Sequence, residues 1–358
     1  MTDRRKPTRF RRLLRGTFSL RTLMIALTIC CIVLGWYAGG QETRVDDVNS
    51  LRLALQNAQA GDVIIVAPGL YAPESSLQEQ FAGATRRAYF AANASGTPES
   101  PIVLKGEDPS DPPIIRGLTN ANADYCLWIR GDHWQIKDLI LKRGGKGLML
   151  DGSSGSLISG LNIRNIGDEA IHLRSGTSNT VIEDSIVRTA GQHQPGFGEG
   201  IYIGSDVGQW DDFDRNCHNN IVRRCHISGT FAECIDVREA TEGTIIEDCD
   251  LFGSRISGVN FADSFVDLKG ITARVRNNRL YKEGNSIVTR GVAIVERPQG
   301  PTAESNWIYN NQFFLDDQDG VMVHAFRGAE NYAWNNLRTP AGPEYQGNSP
   351  ELGFEPQN

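Results

Sequence analysis

From residue 137 to residue 338 the chain repeats one short pattern: two polar or small residues, then alternating apolar positions. It reads KDLIL (137–141), SGLNI (159–163), EDSIV (183–187), RRCHI (223–227), EDCDL (247–251), NNRLY (277–281), NNQFF (310–314) and NNLR (335–338). A second apolar run follows each of the first seven: GLML (147–150), AIHL (170–173), GIYI (200–203), CIDV (234–237), FVDL (265–268), GVAI (291–294) and GVMV (320–323). Alternation with period two predicts strands, so each unit is strand, turn, strand and return. Most units span 22–25 residues, too few to bury an apolar side alone. Stacking the units buries it. The pattern therefore predicts an all-β fold, a single-stranded right-handed parallel β-helix over 45–338, rather than two domains.

The longer gaps between units are insertions at 189–199, 204–219 and 253–264. Loops thrown from a coil stack build its binding groove. The bends align Ser185, Cys225, Cys249, Asn278, Asn311 and Asn336 in one inward column. Cys225 and Cys249 are then stacked core thiols rather than ligands. Upstream, Val48, Leu51, Leu55 and Ala58 share one helical face, which predicts an N-terminal helical cap over the open strand edges. The tail, 339–358, carries four prolines and is expected to be flexible.

Charge divides the chain. Residues 1–21 hold eight basic groups and one acid, and residues 22–40 hold no charge. This reads as a basic cytoplasmic head before a transmembrane signal anchor, with the body exported and membrane-attached through that helix. Cleavage near Ala38-Gly39-Gly40 is the alternative, which would release a secreted or periplasmic body. The stretch FSLRTLMIALTICCIVLGW resembles the N-terminal anchors of planctomycete proteins. From residue 41 on, 42 acidic and 28 basic residues leave a formal −14, which excludes a nucleic-acid partner. Five cysteines fall in the body, an odd number with no zinc spacing, so no disulfide framework is expected. A monomer is expected.

The opening module, LRLALQNAQAGDVIIVAPGLY (51–71) with GTPESPIVLKG (96–106), resembles the start of chondroitinase B, alginate lyases and pectate lyases. The segment from AECIDVREATEGTIIEDCDLFG to NFADSFVDLKG resembles secreted β-helix proteins. Together they place most of 45–338 near the pectin-lyase-like superfamily. That resemblance implies an acidic polysaccharide substrate. In the chondroitinase B group two carboxylates hold calcium, with a lysine soon after. Here Glu233 and Asp236 are the candidate acids, but the nearby basic residue is Arg238 and Lys269 sits one coil later, so no residue of that motif transfers cleanly.

Aligned on their apolar positions, the second strands place His172, Tyr202, Asp236, Asp267, Ala293 and Met322 in one outward column. Two residues on stand Arg174, Gly204, Arg238, Lys269, Val295 and His324. Like charges stacked in adjacent strands destabilise a sheet unless something bound compensates. Glu233, Asp236, Asp263 and Asp267 are the candidate ligands of a Ca²⁺ ion, a hard cation that favours oxygen. Lys269 is the first candidate base and Arg238 the second, provided the local field depresses their pKa. His172, Arg174, Tyr202 and Trp210 are candidate substrate binders. This set suits β-elimination on a uronate polymer. Two alternatives stand beside it: a polygalacturonase-type hydrolase using the aspartates, and a non-catalytic carbohydrate-binding or adhesive surface protein.

Overall fold

The structure, a computed structural model, describes residues 40–326 and 330–347. The expected basic head (1–21), the expected anchor up to residue 39 and the tail from 348 on lie outside the described residues. Among the described residues no helix is long and apolar enough to cross a membrane.

The described strands form three sheets of eleven, ten and eleven strands. Each coil visits the three in turn, as Ile245–Glu247, Asp250–Phe252 and Ser264–Leu268 do. Successive coils pair in parallel, except for a hairpin of Leu77–Phe81 with Ala84–Ala92. This is a right-handed parallel β-helix, as the repeats predict. Inward residues such as Ile246, Leu251, Val266 and Leu268 are fully buried and belong to one continuous core cluster. The helix Val48–Asn57 starts with a capping box between Asp47 and Ser50. It buries Leu51 and Leu55 in that cluster and packs on the first strands of two sheets.

The polar pair that opens each repeat makes the bend between the first and second sheets. The residue before the inward position adopts a left-handed conformation: Asp184, Asp248, Asn277, Asn310 and Asn335 all have φ between 49° and 57°. Asn and Asp tolerate this region because their short side chains bond locally. The next residue turns inward and bridges to the following coil. The Cys249 N–H donates to Asn278 Oδ1 (2.9 Å), Asn278 N–H to Asn311 Oδ1 (3.0 Å), and Asn311 N–H to Asn336 Oδ1 (3.0 Å). Cys225 N–H meets Cys249 Sγ at 3.5 Å, and both thiols are buried in the core.

One expectation needs correction. The outward column continues from Ala293 to His324, not to Met322, which is fully buried in the core. Aligning GVAI on GVMV therefore slipped by two residues, because the last coil turns into its strand later. Within the segment expected to be flexible, Thr339 ends one strand and Tyr345–Gly347 forms another, paired with Val323–Ala325.

Candidate functional site

The third sheet carries the groove. The insertions at 189–199 and 253–264 enter it from the second sheet, and 204–219 leaves it toward the first, so loops flank both edges. The groove between them has a volume of about 770 Å³. At the N-terminal end the outer face of this sheet is covered instead by an apolar cluster with Trp128 and Met149, against which Phe81 packs.

The register confirms the central column. His172 pairs with Tyr202, Tyr202 with Asp236, Asp236 with Asp267, and Asp267 with Ala293. Lys269 removes the conflict between the stacked aspartates. Its ammonium lies 2.8 Å from Asp236 Oδ1 and 2.6 Å from Asp267 Oδ2. Arg238 is held by Asp236 (3.2 Å), Glu239 (3.0 Å) and Asp206, and its guanidinium lies 5.4 Å from the Tyr202 ring centre. Arg174 forms a bidentate pair with Asp151 (2.7 and 2.8 Å) and stacks 3.8 Å from the Phe213 ring. His172 Nε2 lies 3.1 Å from the Gly204 carbonyl, and its ring meets Tyr202 edge-on at 4.5 Å.

A second column was missed in the sequence. Backbone bonds run from Gly147 to Glu169, from Ala170 to Glu199 and from Gly200 to Glu233, so three glutamates stack one coil apart with Lys146 beside the first. The signal is a thrice-repeated E-x-I-x-aliphatic motif: Glu169 in EAIHL, Glu199 in EGIYI and Glu233 in ECIDV. Lys146 and His172 face Glu169, and despite burial they hold its carboxyl below the usual range. Glu199 and Glu233 have no such cation. Burial, then Glu169, Asp236 and Glu233, push Glu199 well up. Burial, then Asp267 and Asp236, push Glu233 up to about 8. Glu233 is then a carboxylic acid at neutral pH, beside an ionised Asp236, whose pKa Lys269 and Arg238 lower against burial.

The bases do not behave as the sequence reading requires. Burial works to lower the Lys269 pKa, but the charges of Asp236 and Asp267 win and raise it. Arg238 is raised in the same way by Asp236 and its neighbours, against burial. Both stay cationic, so neither is a proton acceptor here. Tyr202 also stays protonated, because burial raises its pKa well above the ordinary value. Its hydroxyl has no hydrogen-bond partner among the described residues.

The expected ligand set divides. One oxygen each from Glu199, Glu233 and Asp236 lie within 4.8 Å of one another. Asp263, held by Arg290, and Asp267, held by Lys269, lie outside that cluster. Glu199 Oε2 is buried without a partner, and the donors are all oxygen, which suits Ca²⁺. Asp236 joins such a site only by releasing Lys269 or Arg238. Of the expected binders, His172, Arg174 and Tyr202 line the groove, and Trp210 does not. The Trp210 indole instead donates to the Ser205 carbonyl (3.0 Å) and stacks with Arg215, while Phe213 of the same insertion reaches the groove.

A family model described as right handed beta helix region matches residues 109–337. An alginate lyase from Paenibacillus sp. str. FPU-7 is 34% identical in sequence, with a TM-score of 0.79 over 86% of this chain and 98% of that one. Pectate lyase Pel9A matches at 12% identity and TM-score 0.62 over 88% of this chain and 80% of its own. The Streptococcus pneumoniae surface protein and adhesin PfbA matches at 11% and 0.55 over 87% and 88%. These last two likenesses show the fold alone. No curated protein sequence matches the chain.

Proposed function

The chain belongs to the right-handed β-helix family, and from that premise we propose that it is a polysaccharide lyase that cleaves a uronate polymer by β-elimination. The observation that carries the proposal is its 34% identity to an alginate lyase across 98% of that enzyme's length. The groove supplies a chemistry that fits. Elimination removes the proton at C5 of a 4-linked uronate, forms the C4–C5 double bond and expels O4. Negative charge grows on the C5 carboxylate, so a cation beside it stabilises the transition state. Lys269 is that cation: it is held charged, and the two aspartates use two of its three N–H donors, which leaves one for the substrate. Tyr202 is the proton-transfer group. Its protonated hydroxyl at the centre of the floor can give its proton to the leaving O4 while the same phenol oxygen takes the C5 proton, so that Tyr202 ends protonated as it began. Glu199, Glu233 and Asp236 would hold a Ca²⁺ ion, which supplies further charge opposite the substrate carboxylate.

Hydrolysis fits less well. The Glu199, Glu233 and Asp236 oxygens lie within 4.8 Å of one another. Glycosidases space their two carboxyls by ~5–5.5 Å or ~6.5–9.5 Å. The N-terminal charge pattern supports an exported body on a membrane anchor, which protease shaving of intact cells tests: protection of the body refutes export.

The test of function is the full-length chain on alginate and polygalacturonate, followed by the ultraviolet absorbance of the unsaturated product. Absorbance that is lost in Tyr202→Phe and Lys269→Ala supports the proposal. New reducing ends without unsaturation indicate a hydrolase, and binding with no product indicates an adhesive protein. Loss of activity on chelation, restored by Ca²⁺, supports the metal.

A further inference from the structure

Phe261 is 90% exposed, more than any other large apolar side chain among the described residues. Its backbone is in the left-handed region (φ 67°), as is that of Asn260 before it (φ 57°). Bulky side chains rarely adopt this conformation. The loop is nevertheless tied down. The Gly258 N–H donates to the Ala262 carbonyl (3.0 Å), and both the N–H and the hydroxyl of Ser257 donate to the Phe231 carbonyl (2.9 and 2.7 Å). Asn260 Nδ2 donates to the Gly196 carbonyl (3.0 Å), which joins the loop to the insertion carrying Phe197, itself half exposed. A Cβ on Gly196 would come within 2.8 Å of the Asn260 Cβ, so this contact requires glycine. Both rings line the groove that holds Lys269. Strain kept in place by several bonds around a functional groove points to a use for the side chain it displays.

We propose that Phe261, with Phe197, forms a sugar-stacking subsite on the rim of the groove. It takes the apolar C–H face of a pyranose ring of an acidic polysaccharide, whose carboxylates reach the cations of the floor. This rests on the polysaccharide reading above. Phe261 sets how tightly polymer is held and leaves the chemical step alone.

The experiment uses the full-length chain, with alginate and polygalacturonate as probes and Phe261→Ala, Phe261→Gly and Phe261→Trp as variants. Affinity comes from titration calorimetry, and KM and kcat from product absorbance. Alanine and glycine are expected to weaken affinity by about tenfold and raise KM with kcat unchanged, equivalent to roughly 1.4 kcal/mol of binding. Tryptophan is expected to retain affinity. Glycine is also expected to raise the thermal midpoint, because it adopts this backbone without steric penalty. A purely structural phenylalanine would lose stability instead. Unchanged affinity in the alanine and glycine variants, or a less stable glycine variant, overturns the subsite. Binding that depends on Phe261 with no unsaturated product supports the subsite and refutes the lyase. No binding of the unmodified chain to either polymer overturns both.

Discussion

Replacing Glu233 with glutamine should stabilise the protein, and the gain should depend on pH. Glu233 is nearly buried, 6% exposed, and its pKa is pushed from 4.5 up to about 8. Between those values the unfolded chain has released this proton and the folded one has kept it. Stability linked to this carboxyl is therefore complete below pH 4.5, falls as pH rises, and has been lost once pH passes the folded pKa. Each pKa unit is worth about 1.4 kcal/mol, so the penalty relative to a neutral side chain grows to roughly 3 kcal/mol at pH 7 and nearly 5 kcal/mol above pH 9. Glutamine keeps the shape and has nothing to ionise. For a body of this size 3 kcal/mol corresponds to about 6 °C in thermal midpoint. Thermal unfolding of both proteins from pH 4 to pH 9 should give equal midpoints at the acid end and a gap that widens to a plateau beyond pH 8. Added Ca²⁺ should close part of that gap from the Glu233 side only, because the amide is a poorer ligand for it. Parallel curves across the whole range would refute the reasoning, since they would mean that Glu233 ionises in the folded protein as it does in the unfolded one.

Lys269→Met strands Asp267, leaves Asp236 with Arg238 alone, and should destabilise by about 3–5 kcal/mol at pH 7. Denaturant titration should show a loss that shrinks as pH falls, because burial and Asp236 raise the Asp267 pKa and make it the easier carboxylate to protonate. Asn311→Ala leaves the buried Asn278 N–H and the Val275 and Tyr309 carbonyls without their side-chain partner, and should lower stability by about 3 kcal/mol in the same titration. Cys126, Cys217 and Cys234 are buried, and burial pushes each thiol up to about 12, so a thiol reagent followed by peptide mapping should label none of them until the body unfolds.

The fold is legible because a coil stack writes its geometry as a repeat. The left-handed bend favours Asn, Asp or Gly, and from Ser185 on the inward ladder is built of small or amide residues. The outward column follows by counting two, which is why the amino-acid order alone puts Asp236 over Asp267. Counting fails at Met322, where the entry to the strand changes and the apolar letters do not. Protonation is not legible either. Lys269 and Arg238 look like bases as long as their acids are read as an unpaired array. The structure closes those acids onto them at hydrogen-bond distance and raises both cations.

The glutamate ladder shows what such a reading needs next. Glu169, Glu199 and Glu233 occupy the same place in three successive coils, yet only Glu169 has a lysine within reach. Repetition places all three. What differs is the neighbour supplied from the adjoining coil: Lys146 at one end, the Asp236–Asp267 pair at the other. In a β-helix, therefore, a column sets position and the diagonal neighbour sets charge. A sequence reading that scored each outward residue with its neighbours in the coils before and after would find one glutamate with its pKa lowered and then two with theirs raised. It would also assign Lys269 as a paired cation and Tyr202 as a phenol that burial among acids keeps protonated.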